Sequence, residues 1–225
     1  MEAVIDDIAG RLVDPVLARM FNNCFPSTLD TTVDHHSVID GKPDTYIITG
    51  DINAMWLRDS TNQVSPYIPL IASDPALDDL VCGLIHRQSS YVIFDPFANA
   101  FNFGAEGGPW QGDSRIPEMQ LELHEGKYEL DSLAAVVRLS YKYFGATKSL
   151  RCFDAEWVSA MEAAIETTRG MQAGTVEDYD DPLYSFNRYT EVGTDTLIMK
   201  GRGPPAKRCG LSKCAFRPSD DATTF

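Results

Sequence analysis

Residues 74–85 read DPALDDLVCGLI, and this stretch is the clearest indication of how the chain folds. Pro75 stands where a helix would begin, because a missing N–H at the first helical position breaks no hydrogen bond. Apolar residues then recur at intervals of three and four positions, at Leu77, Leu80, Val81, Leu84 and Ile85. This spacing predicts an amphipathic helix that packs one face inward.

Three more segments have a helical pattern. Residues 131–144 carry apolar side chains on both faces, which predicts a helix buried on two sides and ended by Gly145. Asp154 stands where it can cap a third helix. Residues 5–21 predict a fourth helix, interrupted before Pro15. One-sided and two-sided helices together predict a mainly α protein with two concentric layers of helices.

Short β segments separate these helices. Residues 46–57 and residues 184–199 each contain β-branched and aromatic residues on either side of a glycine, which predicts a hairpin or a sharp reversal. Long loops surround them, and loops often carry the binding and catalytic residues of a protein. We therefore expect the chemistry of this chain in its connections, around small β-hairpins.

The charge of the chain excludes some partners. Its 225 residues include 33 acidic and 19 basic residues, a formal net charge of −14. Nucleic acid and anionic membrane surfaces would be repelled, so neither is expected as a partner. A neutral ligand rich in hydroxyl groups is compatible with this charge. The first residues lack the basic and apolar regions of a signal peptide, but Met1 need not be the natural start, so the compartment stays unknown.

The cysteines have no spacing typical of a metal site or of a disulfide scaffold. They are Cys24, Cys82, Cys152, Cys209 and Cys214, and only the last two lie close together. We therefore expect scattered thiols and no metal. Residues 104–112 are rich in glycine but do not connect a strand to a helix, as a phosphate cradle would, and no cofactor is predicted.

The first candidate site is the stretch of residues 50–60, GDINAMWLRDS. Sugars have apolar C–H faces and rims of hydroxyl groups. Trp56 supplies a flat surface for such a face, while Asp51, Arg58 and Asp59 supply hydrogen-bond donors and acceptors. Alternatively, Arg58 and Asp59 only brace a turn and Trp56 belongs to the core.

A second candidate site is the stretch of residues 216–221, FRPSDD. Because Asp220 and Asp221 are adjacent, the charge of one raises the pKa of the other, and glycoside hydrolysis needs such a protonated acid. Arg217 is expected to face the substrate or only one of the two carboxylates. Alternatively, the pair lies in an exposed loop and binds only water.

Polar residues also stand at two helix ends. Gln88 lies at the end of the amphipathic helix, and Asp131 opens the helix over residues 131–144. Such groups either face a central cavity or cap the helix, and Asp131 in particular could serve only as an N-cap.

Residues 50–60, residues 128–133 and residues 216–221 together resemble family 125 of the glycoside hydrolases. The runs WLRDS and RPSDD are specific, and the motifs occur in the order found in the family. The resemblance implies an exo-α-1,6-mannosidase that works without metal and with inversion of the anomeric configuration. It also implies an (α/α)6 toroid of the six-hairpin glycosidase type, with the sugar pocket in its mouth. An oligosaccharide or an N-glycan-type mannoside would be the substrate.

The same resemblance implies roles for the candidate residues. One carboxylate of Asp220 and Asp221 would be the general acid. Around the sugar-binding pocket would lie Trp56, Arg58, Asp59 and Asp131, and we add Asp51, Gln88 and Arg217 to the candidate substrate-binding residues. Family members are roughly twice as long and carry their general base, a glutamate, in the second half. We therefore expect residues 1–225 to be the N-terminal part of a single catalytic domain, about half a toroid, and inactive alone.

Two alternatives stay open. A related toroid phosphorylase would use phosphate in place of water, and it would need a cationic pocket beside the base. A non-catalytic carbohydrate-binding half-toroid would have no need of a proton donor, so the acid motif argues against it.

Overall fold

The computed structural model describes residues 1–175, 180–188 and 196–213. The helices of five or more residues in these ranges are Glu2–Arg11 (α1), Pro15–Cys24 (α2), Ser27–Thr31 (α3), Leu57–Val64 (α4), Pro75–Phe94 (α5), Leu130–Thr147 (α6) and Ala155–Gly170 (α7). A single turn, Ile198–Gly201, follows near the end of the described residues. A 3₁₀ helix, Ser65–Ser73, connects α4 to α5. The predicted acid pair, Asp220 and Asp221, lies outside the described residues, as does Arg217.

Short antiparallel strands accompany the helices. They are Val33–Ile39 (β1), Lys42–Ile47 (β2), Met55–Trp56 (β3), Ala100–Phe101 (β4), Ser114–Ile116 (β5), Leu123–Glu125 (β6) and Ser185–Asn187 (β7). Their pairing is β1 with β2, β3 with β4 and β6, and β5 with β7. The prediction of a mainly helical protein with small β elements is therefore confirmed.

Several helix starts lie where the sequence predicted them. The Asp74 carboxylate accepts a hydrogen bond from the N–H of Ala76 at 3.1 Å, and so caps α5. The Asp154 carboxylate accepts from the N–H of Trp157 at 3.0 Å and caps α7. The N-terminal helical segment is interrupted before Pro15, as predicted. The carboxylates of Asp74 and Asp154 thus accept hydrogen bonds from N–H groups that the helices themselves leave unpaired.

Helix α5 lies at the centre of the described fold, with β2, α4, α6, α7 and the 3₁₀ helix packed around it. The prediction of a single inward face was wrong, because neighbours cover more than one side. Gly83 makes one of these approaches possible. A Cβ there would lie 2.4 Å from Thr45 Oγ1 and 3.0 Å from the Asp44 backbone on β2.

Helix α6 differs from its prediction in length and in burial. It continues past Gly145 to Thr147 because the left-handed C-cap is reached at Lys148, with φ 57°. One side packs on α4, α5, α7 and the 3₁₀ helix. On the other side Tyr141 and Phe144 are exposed, Tyr141 by 77%. Two-sided burial is therefore not observed within the described residues.

Residues 46–57 do not form the predicted hairpin. Strand β2 pairs instead with β1, through a turn at Asp40 and Gly41 in which both residues have positive φ. A sharp reversal does follow β2, because the N–H of Thr49 donates to the carbonyl of Ala54 at 3.3 Å. After this reversal β3 pairs with β4 rather than with β2.

Residues 184–199 also pair with a distant segment, because β7 lies against β5. The chain nevertheless returns on itself here. The N–H of Leu197 donates to the carbonyl of Phe186 at 3.2 Å, and the N–H of Arg188 donates to Thr196 Oγ1 at 3.1 Å. Residues 189–195, which would form the predicted turn, lie outside the described residues.

A disulfide joins Cys82 on α5 to Cys152 in the turn before α7. This corrects the expectation of scattered thiols for these two residues, whereas Cys24 and Cys209 are free and exposed. The sequence separation of 70 residues gives no indication of the pairing, which depends on the packing of α7 against α5. Closing a loop of this length stabilises the folded chain by about 4 kcal/mol in the chain-entropy description.

Candidate functional site

Arg58 connects two helices at the centre of the candidate site. It lies in the first turn of α4, and its guanidinium Nη1 donates to Asp131 Oδ2 on α6 at 3.1 Å. The same nitrogen lies 3.5 Å from Glu129 Oε2, and Nη2 lies 3.5 Å from Asp59 Oδ2. We call Arg58, Asp59, Glu129 and Asp131 the Arg58 cluster. Arg58 therefore does more than brace a local turn, because its partners Glu129 and Asp131 are more than 70 residues away in the chain.

The Arg58 cluster combines a cation with a buried carboxyl group whose pKa is raised. Burial raises the pKa of Glu129 to about 7; Arg58 opposes this shift, while the charges of Asp131 and Glu125 add to it. Burial by itself would lower the pKa of Arg58, but its carboxylate neighbours outweigh burial and the pKa is raised. Arg58 is therefore a permanent cation, whereas Glu129 gains and loses its proton near neutral pH.

Sequence reasoning did not include Glu129 among the candidate residues. Its side chain is almost fully buried, and its Oε2 accepts a hydrogen bond from Ser132 Oγ at 3.0 Å. The signal in the sequence was its position two residues before Asp131, next to the start of a helix. That signal does not indicate that Arg58 approaches from another helix.

An open cavity of about 160 Å³ adjoins the cluster. Its lining consists of Arg58, Asn62, Asp131, Ala134, Ala135 and Arg138. Within the described residues, Asp131 Oδ1 is buried and has no hydrogen-bond partner. A carboxylate oxygen in this state can accept a hydrogen bond from a ligand hydroxyl, and Arg58 can donate one.

Three rings contact one another near the start of α4, and we call Trp56, His124 and Trp110 the aromatic shelf. Trp56 immediately precedes α4, and its ring meets the His124 ring edge-on at 5.2 Å. The Trp110 ring stacks on the His124 ring, with centroids 6.1 Å apart and an interplanar angle of 14°. Trp56 is thus half-buried at the site and not in the core, contrary to the alternative considered from the sequence.

A buried ionic network supports the shelf. The Arg188 guanidinium donates to both carboxylate oxygens of Asp113 at 2.6 Å and to Glu125 Oε1 at 2.8 Å. Lys127 Nζ lies 3.1 Å from the same Glu125 oxygen, and Asn99 Nδ2 donates to Glu125 Oε2 at 2.7 Å. Burial by itself would raise the pKa of Glu125, but Lys127 and Arg188 reverse the shift, so the pKa is lowered. Glu125 is therefore an anion that these cations hold in place.

Three comparisons with known proteins bear on this site. Residues 14–225 match the family model of the metal-independent α-mannosidases, glycoside hydrolase family 125. The chain belongs to this family. The GH125 chain is also 41% identical, over 233 residues, to the meiotically up-regulated gene 157 protein of Schizosaccharomyces pombe. That match covers 99% of this chain and 46% of the relative.

The fold agrees with that of a solved relative. A metal-independent α-mannosidase from Streptococcus pneumoniae, in a non-productive complex with α-1,6-mannobiose, matches with a TM-score of 0.86 and 34% sequence identity. The match covers 98% of this chain and 50% of the other. The GH125 chain therefore spans about half the length of both relatives.

The structure brings together only some of the sequence-predicted residues. Trp56, Arg58, Asp59 and Asp131 lie in or beside one site, whereas Asp51 is exposed in the loop between β2 and β3. Arg217, Asp220 and Asp221 lie outside the described residues, so their roles stay predictions.

Gln88 lies beneath the site and has no exposed surface. Its Nε2 donates to the Leu57 carbonyl at 3.1 Å, and to Ser60 Oγ and Thr61 Oγ1 at 3.0 Å each. These contacts fix the start of α4 from the α5 side. Gln88 therefore positions the helix that carries Arg58, in place of the direct contact with substrate that the sequence suggested.

The described residues contain neither a cluster of metal ligands nor a membrane-spanning helix. No group of three or more His, Cys, Asp or Glu side chains there is arranged to hold a metal ion. No helix in the same part of the chain has the length and apolar character needed to cross a membrane.

Proposed function

We propose that the protein to which this chain belongs is an exo-acting α-mannosidase, which hydrolyses α-1,6-linked mannosides from the non-reducing end. The observation that carries the proposal is the Arg58 cluster at an open cavity, with the half-buried Trp56 two residues before Arg58 in the chain. A site for a terminal mannose needs hydrogen-bond donors and acceptors for the sugar hydroxyl groups, and a flat apolar surface for the C–H face. The α-1,6-mannobiose in the complex of the Streptococcus pneumoniae relative supports the substrate class.

We further propose that the reaction proceeds with inversion. One carboxylate of Asp220 and Asp221 would protonate the leaving oxygen, and a carboxylate outside this chain would activate a water. In such enzymes the two carboxyl groups stand ~6.5–9.5 Å apart, which leaves room for that water. Residues of this chain would bind and orient the sugar: Arg58 by donating to its hydroxyl groups, Asp131 by accepting from them.

The proposal includes the organisation of the domain. The matched relatives are about twice as long as this chain. Residues 1–225 would accordingly form the N-terminal part of one catalytic (α/α)6 domain, without activity of their own. An oligosaccharide or an N-glycan-type mannoside would be the substrate, and the net charge of −14 is compatible with a neutral sugar chain.

A product analysis tests the proposed function. The full-length protein is incubated with α-1,6-mannobiose, and the first product is followed by proton NMR. We expect β-mannose to appear before mutarotation, at the same rate with and without EDTA. α-1,2-Mannobiose serves as the control for linkage. Mannose 1-phosphate formed only in phosphate buffer would indicate a phosphorylase, and loss of activity in EDTA would contradict the metal-independent mechanism.

A further inference from the structure

The Arg58 cluster is assembled from two segments that follow strands of the same small sheet. Strand β4 is the central strand of this sheet, with β3 on one side and β6 on the other. Strand β3 is followed directly by α4, which carries Arg58. Strand β6 is followed by residues 126–129 and then by α6, which carries Asp131. The relative position of β3 and β6 therefore determines how Arg58 meets Asp131.

Asn99 immediately precedes β4 and contacts both segments. Its backbone carbonyl accepts a hydrogen bond from the N–H of Leu57, the first residue of α4, at 3.1 Å. Its side-chain Oδ1 accepts from the N–H of Lys127 at 3.2 Å, and its Nδ2 donates to Glu125 Oε2 at 2.7 Å. One residue thus connects the start of α4 to the end of β6 and to the residues after it.

Burial gives these contacts of Asn99 their importance. Asn99 is only 1% exposed, and the same Glu125 that it contacts is held by Lys127 and Arg188. A buried N–H or carboxylate oxygen that loses its partner finds no water to replace it. Without the Asn99 amide, residues 125–129 would therefore move relative to α4 to recover hydrogen bonds.

We propose that Asn99 is a positioning residue for the reaction: it holds α4 and the segment before α6 where Arg58 meets Asp131. Asn99 is not among the residues that line the cavity at Arg58, so it acts without contacting the sugar there. The inference rests on the proposed function, since it takes the Arg58 cluster as the group that binds and orients the sugar. Gln88 fixes α4 against α5, whereas Asn99 fixes it relative to α6.

Asn99→Ala tests the proposal in the full-length protein, because it removes the side-chain contacts but keeps the backbone contact with Leu57. We expect kcat/KM on α-1,6-mannobiose to fall about 10-fold, since misplaced binding groups orient the substrate less well. Asn102→Ala is the matched control. Asn102 is 6% exposed, and its Nδ2 donates to the carbonyls of Gly108 and Leu121, which do not belong to the cluster.

The control variant Asn102→Ala should lower the Tm about as much as Asn99→Ala, because each substitution removes two buried side-chain contacts. Its kcat/KM should stay as in the wild type. Equal losses of kcat/KM in the two variants would overturn the positioning role, since the effect of Asn99→Ala would then be one of general destabilisation.

A double-mutant cycle with Arg58→Lys separates positioning from a purely structural role. If Asn99 acts through Arg58, Asn99→Ala should cause little further loss of kcat/KM in the Arg58→Lys background. A further loss of the full factor of about 10 in that background would show that the two residues act independently, which would overturn the proposal.

Exchange of donor and acceptor between Asn99 and Glu125 provides a rescue. Asn99→Asp places a second carboxylate against Glu125 and should lower kcat/KM at least as much as Asn99→Ala. Addition of Glu125→Gln restores one donor and one acceptor between the two side chains, with the total charge of the wild type, and should recover most of the activity. A double variant that recovers none would show that this hydrogen bond does not position the cluster.

Failure of the proposed function gives a different result. If the wild-type protein does not hydrolyse α-1,6-mannobiose, the mannosidase proposal fails, and the role of Asn99 is tested by binding of α-1,6-mannobiose in calorimetry. Weaker binding by Asn99→Ala than by Asn102→Ala would support positioning. Equal affinities of these two variants, or no binding by any of the proteins, would overturn it.

Discussion

Arg58 and Arg188 are both surrounded by carboxylates, but the two arginines differ in burial and in the length of their contacts. Arg188 is almost fully buried, and its bonds to Asp113 and Glu125 are short. The Arg58 side chain is 19% exposed, and its contacts to Glu129 and Asp59 are long, at 3.5 Å each. The Arg58 cluster also opens on a cavity, whereas the Arg188 network is enclosed beneath Trp110.

The difference indicates that the Arg188 network stabilises the fold, whereas the Arg58 cluster is available to bind a ligand. A buried charge must be compensated by its partners, since water cannot replace them, so Arg188 holds β5, β6 and β7 together. A partly exposed cation with long contacts retains the capacity to donate to a ligand. Substitution of Arg188 should therefore lower the unfolding free energy, whereas substitution of Arg58 should lower the activity.

The largest expected effect is on stability, from Arg188→Met. The substitution leaves Asp113 and Glu125 buried with less cationic compensation, which costs about 3–5 kcal/mol of unfolding free energy. Urea unfolding of the purified protein measures it. Arg151→Met is the control, because Arg151 pairs with Asp78 and Asp79 at the surface, where ion pairs contribute about 0–1 kcal/mol. Equal losses in the two variants would contradict the structural role of Arg188.

The second effect is on activity, from Arg58→Lys. Lysine keeps the positive charge but cannot reproduce the planar fork of donors, so kcat/KM on α-1,6-mannobiose should fall about 100-fold. The unfolding free energy should change by less than about 1 kcal/mol. Steady-state kinetics of the full-length protein measure the first quantity, with Arg151→Lys as the matched control. If Arg58→Lys were unstable but fully active, Arg58 would stabilise the fold and would not bind the substrate.

The smallest effect concerns pH and Glu129. Its folded-state pKa of about 7 lies above the ordinary 4.5, so the folded protein binds the proton more tightly than the unfolded chain. Stability from this group is therefore present at low pH and is lost as the pH rises between these two values. From pH 5 to pH 7 the loss amounts to about 2 kcal/mol.

Glu129→Gln should remove this slope, because an amide does not titrate. Urea unfolding of wild type and variant at pH 5, 6 and 7 measures the difference between their slopes. Glu118→Gln is the control, since Glu118 is exposed. Parallel pH profiles for wild type and Glu129→Gln would show that Glu129 is not held as a protonated acid in the cluster.

Local features of the structure were well predicted from the sequence. Asp74 and Asp154 cap α5 and α7 as expected, and the break before Pro15 is present. These features depend on hydrogen bonds and backbone angles within a few residues, and such information is contained in a short stretch of chain. The family followed from motifs for the same reason, since each motif is a short run of specific residues.

The sequence by itself therefore determined four helical segments, the caps of α5 and α7, the family and some of the residues that meet in the candidate site. Only the tertiary structure decided that α5 is central, that Tyr141 on α6 is exposed, and that Cys82 pairs with Cys152. It also decided that Arg58 meets Asp131, 73 residues away, and that Trp110 stacks on His124. Helical periodicity records which side chains are apolar but not which neighbours cover them. Contacts between distant segments depend on how whole helices and loops pack, and no local spacing encodes that arrangement.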